Sequence, residues 1–523
     1  MTDLLDDHPS SATPPTLDDI LRLQEAVFAT RPALREIVAK RGTKTLYEYA
    51  SEYPDVNLNP LILARQDQFI VSFRQVVARV LNTKIADEAA VQLKKYYFVS
   101  TADHHGPICH PFFLNSHLVS SITCAEVNQN DWKYNIALSC ANVSFSNSSF
   151  PRGLLFHTEA EDKIKMHQLG FFPNTSEVRQ ARVFNYRPYG QEEIEKVKKR
   201  LAEIGRTENL APSSTQVFTE LLDEVYAAPE VLSAPGFSEQ ITKTNFALWR
   251  KMFSKLNGGG RDLLYIELEA VVAKLLLDFH LDADTTLHRL LFNPDYVASF
   301  IKYFDNIEAG FSTTAGWGTY LFWALPADAK YCKKMRYENG SLVADDNSYR
   351  VALNPEDLRA ALLKKEIFPS SQFSLIVLSL YYGLKCLGGF CQVNYLTKMK
   401  DAYLALLQDH GETESYEAAE RVQTKELGED LSIAFVEGKR NNHDLATTLD
   451  IIAYAKSNAW ENLVDEAKNL TLGEALLLMM PEFYHIMYPE IKRDPELARI
   501  TAEDILKLTG VDRKIKTSAT LAS

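Results

Sequence analysis

The pattern of apolar residues changes at Tyr96, and this change restricts the fold more than any other feature of the chain. From residue 17 to about residue 95, apolar side chains such as Ile20 and Leu23 recur at helical spacing. From residue 96 to about residue 190, short β-branched and aromatic runs alternate with Asn, Asp, Gly and Pro, a pattern typical of strands joined by turns. The chain therefore combines helices with some sheet.

Four runs within residues 96–190 carry the strand signal. They are Tyr96 to Ser100, Val119 to Val127, Tyr134 to Phe145 and Leu154 to His157. Each is rich in β-branched or aromatic residues, which favour a pleated, half-buried surface. We expect one small sheet built around this segment.

The remaining segments are expected to be mostly helical. The expected organisation is a disordered tail at 1–16, a helical N-terminal region at 17–95, the β-containing segment at 96–190, a mostly helical region at 191–410 and a helical C-terminal region at 411–523. Within 191–410, a strand can be added near 263–273, and the Asn339-Gly340 pair predicts a hairpin near 331–351. The predicted fold class is α+β, predominantly helical, with one small sheet.

The charge balance narrows the choice of partner. The chain has 56 basic and 69 acidic residues, a net charge of -13, and no basic block. Such a chain is a poor candidate for nonspecific binding to nucleic acid. We expect a small-molecule substrate and no nucleic-acid partner.

Targeting signals are not evident in the sequence. The N-terminus is acidic and has no apolar stretch of the kind that signal peptides carry. The longest apolar run, Phe373 to Leu384, has 12 residues, whereas a bilayer-spanning helix needs about 20. Six scattered cysteines fit reduced thiols. We expect a cytoplasmic protein without a membrane partner, and a buried helix at this apolar run.

Histidines are concentrated in the β-containing segment. Six of the twelve lie between His104 and His167. The densest part begins with Asp103, His104 and His105 directly after a predicted strand, and continues to His110 and His117. Loops at strand ends are held rigidly and often carry functional groups.

This cluster supplies the residue types that bind divalent metals. Imidazole and carboxylate groups suit zinc, iron or manganese when three or four of them converge. We therefore expect His104, His105, His110 and His117 as metal ligands, with Asp103 and His105 as catalytic groups. Adjacent histidines in an extended chain point in opposite directions, so a turn at Gly106 would be needed to bring both inward.

A polar loop in the same segment predicts a substrate contact. Asn147 and Arg152 lie in the sequence Asn-Ser-Ser-Phe-Pro-Arg-Gly after a predicted strand. An Arg guanidinium binds carboxylate or phosphate through two parallel hydrogen bonds, and an Asn side chain adds a further polar contact. We expect these two residues to bind a small anionic organic substrate.

The Asp103-His104-His105 triplet also resembles the Asp-His-His motif of the DHH phosphoesterases, in which it follows a strand and binds manganese. The resemblance covers only residues 97–105. That family also has an Asp-x-Asp motif near its N-terminus and a later Gly-Gly-Gly-His element, and this chain has neither; its Gly258-Gly-Gly is followed by Arg261.

Three functions stay open at this level. The first is a metal-dependent enzyme of hydrolase, lyase or oxygenase type that uses the His/Asp cluster. The second is a metal-free acid–base enzyme that uses the same histidines. The third is a helical interaction or scaffold protein whose His-rich segment is structural.

Overall fold

The fold is α+β and predominantly helical, as the sequence predicts. The computed structural model describes residues 14–126, 131–160, 163–208, 210–440 and 442–521. Helices hold 54% and strands 15% of the chain. The expected tail at 1–16 lies outside the described residues except for its last three positions, and Thr16 there caps the first helix.

The helices follow one another through the whole described chain. They are α1 (Leu17–Thr30), α2 (Pro32–Arg41), α3 (Leu46–Ala50), α4 (Pro60–Val80), α5 (Thr83–Tyr96), α6 (Pro111–Glu126), α7 (Ser176–Gln180), α8 (Gln191–Thr207), α9 (Pro212–Leu221), α10 (Pro229–Leu232), α11 (Phe237–Leu256), α12 (Leu268–Leu275), α13 (Thr286–Phe292), α14 (Pro294–Phe304), α15 (Pro355–Leu363), α16 (Ser371–Leu375), α17 (Gln392–Asp409), α18 (Thr413–Glu420), α19 (Thr448–Tyr454), α20 (Ala459–Asn469), α21 (Leu472–Leu477), α22 (Met480–Met487), α23 (Pro495–Ala498) and α24 (Ala502–Thr509). Turns of π-helix extend α9, α12 and α16 over Leu222–Tyr226, Leu276–His280 and Ile376–Tyr381.

The strands are short and scattered along the sequence. They are β1 (Phe98–Ser100), β2 (Tyr134–Ser139), β3 (Gly153–Ala160), β4 (Lys163–Gly170), β5 (Asp262–Glu267), β6 (Phe322–Ala324), β7 (Lys333–Glu338), β8 (Ser341–Ala344), β9 (Arg350–Ala352), β10 (Ile367–Pro369), β11 (Lys385–Leu387), β12 (Phe435–Glu437), β13 (His443–Leu445) and β14 (Ala519–Thr520). Within the described ranges they form sheets of four, five, three and two strands rather than the single sheet expected.

The four-stranded sheet is fully parallel and has the order β11-β1-β2-β5. Its strand β5 is the strand expected near residues 263–273, and the chain then turns into helix α12. The pair β7 and β8 is the hairpin expected from Asn339 and Gly340, both of which have positive φ angles. The hairpin prediction is therefore confirmed, whereas the strand prediction is right only up to Glu267, because the rest of the expected range is helical.

The strand expected at Val119 to Val127 is wrong, because residues 111 to 126 form helix α6. Its described side chains are buried almost throughout. A helix that is buried on all sides has no polar face, so its sequence shows no helical period and resembles a buried strand.

The parallel sheet separates two hydrophobic cores. On β5, Leu263 and Tyr265 belong to a first core that includes α11, and Leu264 and Ile266 belong to a second core that includes α4. This alternation follows from the two-residue period of a strand. The sheet therefore lies in the interior, with helices on both faces.

The apolar run at 373–384 forms part of α16 and the π-helical turn after it, and it is buried throughout. The expectation of a buried helix is thereby confirmed. No helix among the described residues is both long enough and apolar enough to cross a bilayer.

Candidate active site

A cavity of about 370 Å³ lies where the strands of the parallel sheet end. The segments that follow β1, β2, β5 and β11 all contribute to its lining. Examples are His104, Cys140, Leu268 and Phe390. The chain adds β2 and then β5 on one side of β1, and it later adds β11 on the other side of β1. The order in which strands are added therefore changes direction between β11 and β1. Parallel sheets bind ligands at such a reversal, outside the carboxyl ends of the strands.

The backbone of His104 is fixed by an extension of this sheet. His104 forms a parallel bridge with Cys140, and the peptide groups on either side continue the hydrogen bonding between the two chain segments. The Tyr265 hydroxyl donates to the His104 carbonyl oxygen at 2.7 Å. The imidazole therefore extends from a rigid part of the backbone.

Hydrogen bonds determine the tautomer of His104. The backbone N–H of Ser149 donates to Asn147 Oδ1 at 3.0 Å, so that oxygen is an acceptor. The same oxygen lies 2.9 Å from His104 Nδ1, which must carry the proton and donate it. Nε2 of His104 is then left with its lone pair. Burial lowers the pKa of His104, so the ring is neutral at neutral pH and Nε2 can accept a proton.

His110 has the opposite tautomer. The backbone N–H of Phe112 lies 3.4 Å from His110 Nδ1 and donates to it, so the proton of the neutral ring is on Nε2. Burial, together with the nearby His104, lowers the pKa of His110 to about 3. Both rings line the cavity and contact the ring of Phe113, with centroid distances of 5.7 Å for His104 and 5.6 Å for His110. The cavity thus holds a proton acceptor and a neutral proton donor.

Glu429 and Asp430 form a pair of carboxyl groups on the same cavity. Asp430 has a left-handed backbone with φ of 67°, and its Oδ2 accepts the backbone N–H of Phe390 at 2.8 Å. A Cβ atom on Gly389 would lie 2.4 Å from a Glu429 oxygen, so the Glu429 carboxylate approaches this backbone as only glycine permits. Burial raises the pKa of both groups, for Asp430 to about 7, and for Glu429 the charges of Asp430 and Asp103 raise it further.

A third acidic group holds the cavity wall behind Cys140. The carboxylate of Glu269 accepts the backbone N–H groups of Ala141 and Asn142 at 2.9 to 3.1 Å. Burial and the neighbouring Glu267 raise the pKa of Glu269 to about 7. Burial and Glu269 also raise the pKa of the Cys140 thiol well above 9, so this thiol stays protonated and does not resemble an activated nucleophile.

The four histidines expected to bind metal do not share one environment. His104 and His110 line the cavity, whereas His105 and His117 lie in the core. His105 donates from Nε2 to the Ser238 carbonyl oxygen at 3.0 Å and accepts from the Ser139 hydroxyl at 2.6 Å. Within the described ranges, no three His, Cys, Asp or Glu side chains are grouped so that they could hold a metal ion.

Asp103, expected to be catalytic, lies beneath the cavity floor and is 2% exposed. It accepts a hydrogen bond from His117 Nε2 at 2.8 Å and another from the Ser100 hydroxyl. Burial alone would raise its pKa, but the charge and hydrogen bond of His117 outweigh burial and lower it. Asp103 and His117 therefore form a buried hydrogen-bonded pair next to the backbone that carries His104.

The two residues expected to bind substrate are separated. Asn147 lines the cavity and holds His104. Arg152 is buried elsewhere, donates to Asn174 Oδ1 at 2.7 Å and lies over the Phe150 ring. Among the described residues that line the cavity, none is Lys or Arg.

Sequence reasoning missed Glu429, Asp430 and Phe390, which reach the cavity from the C-terminal half of the chain. The only sequence signal was the pair of adjacent acidic residues after Gly428, and such pairs are common on solvated surfaces. Their position follows from the placement of β11 beside β1, which connects segments far apart in sequence.

Comparisons with known proteins add no further evidence on function. No protein-family model matches this chain. A search of the curated proteins likewise finds no significant match. The geometry of the cavity is therefore the basis on which function is argued for this α+β chain.

Proposed function

We propose that this chain is an enzyme of lyase type that removes a proton next to a carbonyl group of a small organic molecule, with His104 as the general base. The single observation that carries the proposal is that, on one cavity, His104 Nδ1 faces an acceptor, Asn147 Oδ1, whereas His110 Nδ1 faces a donor, the Phe112 N–H. These partners assign opposite tautomers to the two rings. A base and a neutral hydrogen-bond donor in one enclosed site are the two groups that enolate chemistry requires.

Each histidine has a defined part in the reaction. His104 Nε2 takes the proton, and the electron pair of the broken C–H bond moves to the carbonyl oxygen. His110 Nε2–H donates a hydrogen bond to that oxygen as its negative charge develops. The enolate then collapses: the carbonyl re-forms, a double bond forms to the adjacent carbon, and the substituent on that carbon leaves with its bonding electron pair. The leaving group takes up the proton from His104 Nε2, which restores the base. Because His110 has a pKa of about 3, it remains a neutral donor throughout the physiological pH range.

The sheet and the Asn147 loop support this chemistry by fixing the base. The Nδ1 proton of His104 is held by Asn147 Oδ1, so Nε2 remains the acceptor before and after each turnover. The buried pair of Asp103 and His117 lies next to the backbone that carries His104. Such pre-organisation removes the cost of arranging the base when substrate binds.

The sequence-based expectation of a divalent metal on His104, His105, His110 and His117 stays a prediction. Elemental analysis of protein purified without chelator tests it, together with the His105→Ala variant. A stoichiometric metal that is lost in the variant would support the metal hypothesis. The acid–base proposal does not depend on that result, because it uses only protons held on His104 and His110.

The proposal is tested by hydrogen exchange of substrate carbon in D₂O. The full chain is incubated with a panel of small ketones, 2-oxoacids and 3-hydroxy esters, each in a form with and a form without an amino group, and proton NMR records loss of the α-proton signal and formation of unsaturated product. We expect exchange or elimination with at least one compound. We expect His104→Gln to slow it by about 10²-fold to 10⁴-fold, the usual contribution of a general base.

Two further variants complete this test. His110→Leu removes the neutral donor and should slow the reaction by about 10²-fold. His443→Gln changes a histidine outside the cavity on β13 and should leave the rate unchanged. The proposal fails if the wild-type chain exchanges no panel compound, or if His104→Gln is as fast as wild type.

A further inference from the structure

Among the described residues, no cation acts on the pair formed by Glu429 and Asp430. Asp430 is 3% exposed, and its Oδ2 accepts one backbone N–H from Phe390. Its other oxygen, and both oxygens of Glu429, accept no hydrogen bond from any described residue. Asp430 is buried, whereas the half-buried Glu429 reaches the space of the cavity. Two adjacent carboxyl groups in such an enclosed place are costly to ionise without a cationic partner.

The surroundings of the pair do not supply that partner. The charged neighbours that act on Glu429 are Asp430 and Asp103, and both are acidic. Arg31 does not line the cavity; it lies 6.0 Å from the Phe390 ring centroid, and its guanidinium bonds to Glu308 at 2.9 Å and to the Cys391 sulfur at 3.4 Å. The arginine expected to contact substrate, Arg152, lies outside the cavity.

Aromatic rings form the wall next to the carboxyl pair. Phe390 follows β11, lines the cavity and stacks on Phe483 with a centroid distance of 3.9 Å. Phe112, Phe113 and Tyr395 line other parts of the wall. Aromatic faces attract cations, and an enclosed site with acidic groups and aromatic walls is the usual composition of a site for organic ammonium groups.

We propose that the cavity takes a ligand that carries a protonated amine, whose N–H groups donate to the unpartnered oxygens of Glu429 and Asp430. The rest of the ligand lies along the aromatic wall toward His104. Binding of an amine in the cavity does not depend on the proposed function; only the identification of that amine as the substrate rests on it. It replaces the anionic group expected from the sequence with a cationic one.

A change in protonation follows from this arrangement. Because burial raises the pKa of both carboxyl groups, the empty pair retains a proton near neutral pH. An ammonium group favours the ionised form of both, so binding displaces that proton into solvent. The titratable groups that face the pair and affect this balance are Asp103, Tyr265, Tyr395 and Cys391.

The test measures binding of three probes of the same shape to the full chain by titration calorimetry. The probes are 2-phenylethylamine, 2-phenylethanol and 3-phenylpropionate. We expect the amine to bind at least about tenfold more tightly than the alcohol, a difference of about 1.4 kcal/mol, and the carboxylate to bind more weakly than either. Titrations in buffers of different ionisation enthalpy should show proton release with the amine and none with the alcohol.

Variants assign the binding to the carboxyl pair. Glu429→Gln removes one charge with little change in shape and should weaken amine binding at least about tenfold while leaving alcohol binding unchanged. Asp430→Asn provides the same test if Glu429→Gln does not fold. Glu203→Gln alters an exposed acid of α8 and should have no effect. Equal affinity for amine and alcohol, or an unchanged amine affinity in both cavity variants, would overturn the inference.

A fourth variant separates this inference from the proposed function. His104→Gln should bind the amine as wild type does, because His104 makes no part of the ammonium site. If the amine binds as expected but His104→Gln retains full turnover, only the proposed function fails. If His104→Gln abolishes turnover and the amine binds no better than the alcohol, only the inference fails.

Discussion

Asn147 determines which nitrogen of His104 can accept a proton. Its Oδ1 accepts the Ser149 N–H and the His104 Nδ1–H, so the ring holds the tautomer that is less populated in water. Replacing Asn147 with Ala should return His104 toward the Nε2–H tautomer. Two-bond proton–nitrogen correlation NMR distinguishes the two tautomers directly, and comparison with His104→Gln assigns the signals.

The same substitution should affect catalysis through His104 alone. We expect Asn147→Ala to lower turnover by about 10- to 100-fold, as loss of a group that orients a functional histidine usually does. Ser146→Ala, an exposed change in the same loop, should alter neither the spectrum nor turnover. A variant that keeps the Nδ1–H tautomer without Asn147 would show that another group sets it.

His157 forms a second buried histidine site, which joins hairpin β3–β4 to helix α19. Its Nδ1 lies 2.6 Å from Asp450 Oδ2, and Asp444 lies 3.8 Å from its Nε2. Burial opposes protonation of His157, but attraction to Asp450 and the hydrogen bond outweigh it and raise the pKa above 6.5. Asp444 raises the pKa of His157 further, and His157 in turn helps to lower the pKa of His167 on the adjoining strand.

The pH dependence of this site has a definite sign. Because the folded pKa is raised, the stabilisation is complete below pH 6.5 and is lost as pH rises through the folded pKa. His157→Gln should lower the free energy of unfolding by about 3 kcal/mol at pH 6, and by less at pH 9. Urea unfolding at both pH values measures this, with His443→Gln as the control. A penalty that is the same at both values would show that His157 stays neutral.

Helix α6 connects the histidine end of the cavity to its carboxyl end. Asn115 on this helix accepts the backbone N–H groups of Ile433 and Ala434 at 2.8 and 2.6 Å, and donates to the Pro111 carbonyl oxygen. Those two peptides follow Glu429 and Asp430 closely in sequence. A single buried amide therefore fixes the carboxyl pair relative to His110 at the start of the helix.

Ser116, the next residue on helix α6, provides a matched comparison for a substitution at Asn115. Asn115→Ala leaves two buried N–H groups without acceptors and should cost about 2 to 4 kcal/mol of unfolding free energy. Ser116→Ala removes only a bond to the Phe112 carbonyl within the helix and should cost under about 0.5 kcal/mol. Denaturant unfolding of both variants measures the difference. Similar values for the two would show that the Asn115 bonds are replaced by solvent.

At the scale of the whole molecule, local pattern predicted elements but not their assembly. The N-terminal helices, β5 and the β7–β8 hairpin follow from periodicity and turn residues, and the opposite orientations of His104 and His105 follow from strand geometry. Helix α6 was missed because its buried surface has no polar face. Strand β11 was missed because it has only three residues after a buried helix.

The candidate site was predicted only in part, because local pattern does not show which distant segments of the chain the fold brings together. His104, His110 and Asn147 lie within one segment of sequence, so their proximity could be inferred from the chain itself. Glu429 and Asp430 reach them because Leu427 forms a parallel bridge with Gly388, directly after β11, and β11 pairs with β1. Pairing between distant strands leaves no local signal in the sequence.

Because one sheet separates both cores, we expect the two sides of the molecule to unfold together. Leu263 and Leu264 are adjacent and fully buried, and they face the first and the second core respectively. Replacing either with Ala removes packing on one face only and should cost about 2 to 5 kcal/mol. If the sheet couples the cores, each variant should speed hydrogen exchange equally in α11 of the first core and α4 of the second.

Hydrogen exchange measured by mass spectrometry on the full chain distinguishes the two possibilities. Amides that open only by global unfolding report the total stability, so a loss on either face accelerates both helices by the same factor. Leu363→Ala, which changes a side chain that is 67% exposed, should accelerate neither. Faster exchange confined to α11 in Leu263→Ala, or to α4 in Leu264→Ala, would mean that the cores open separately and that the cavity edge of the sheet can be lost without unfolding both.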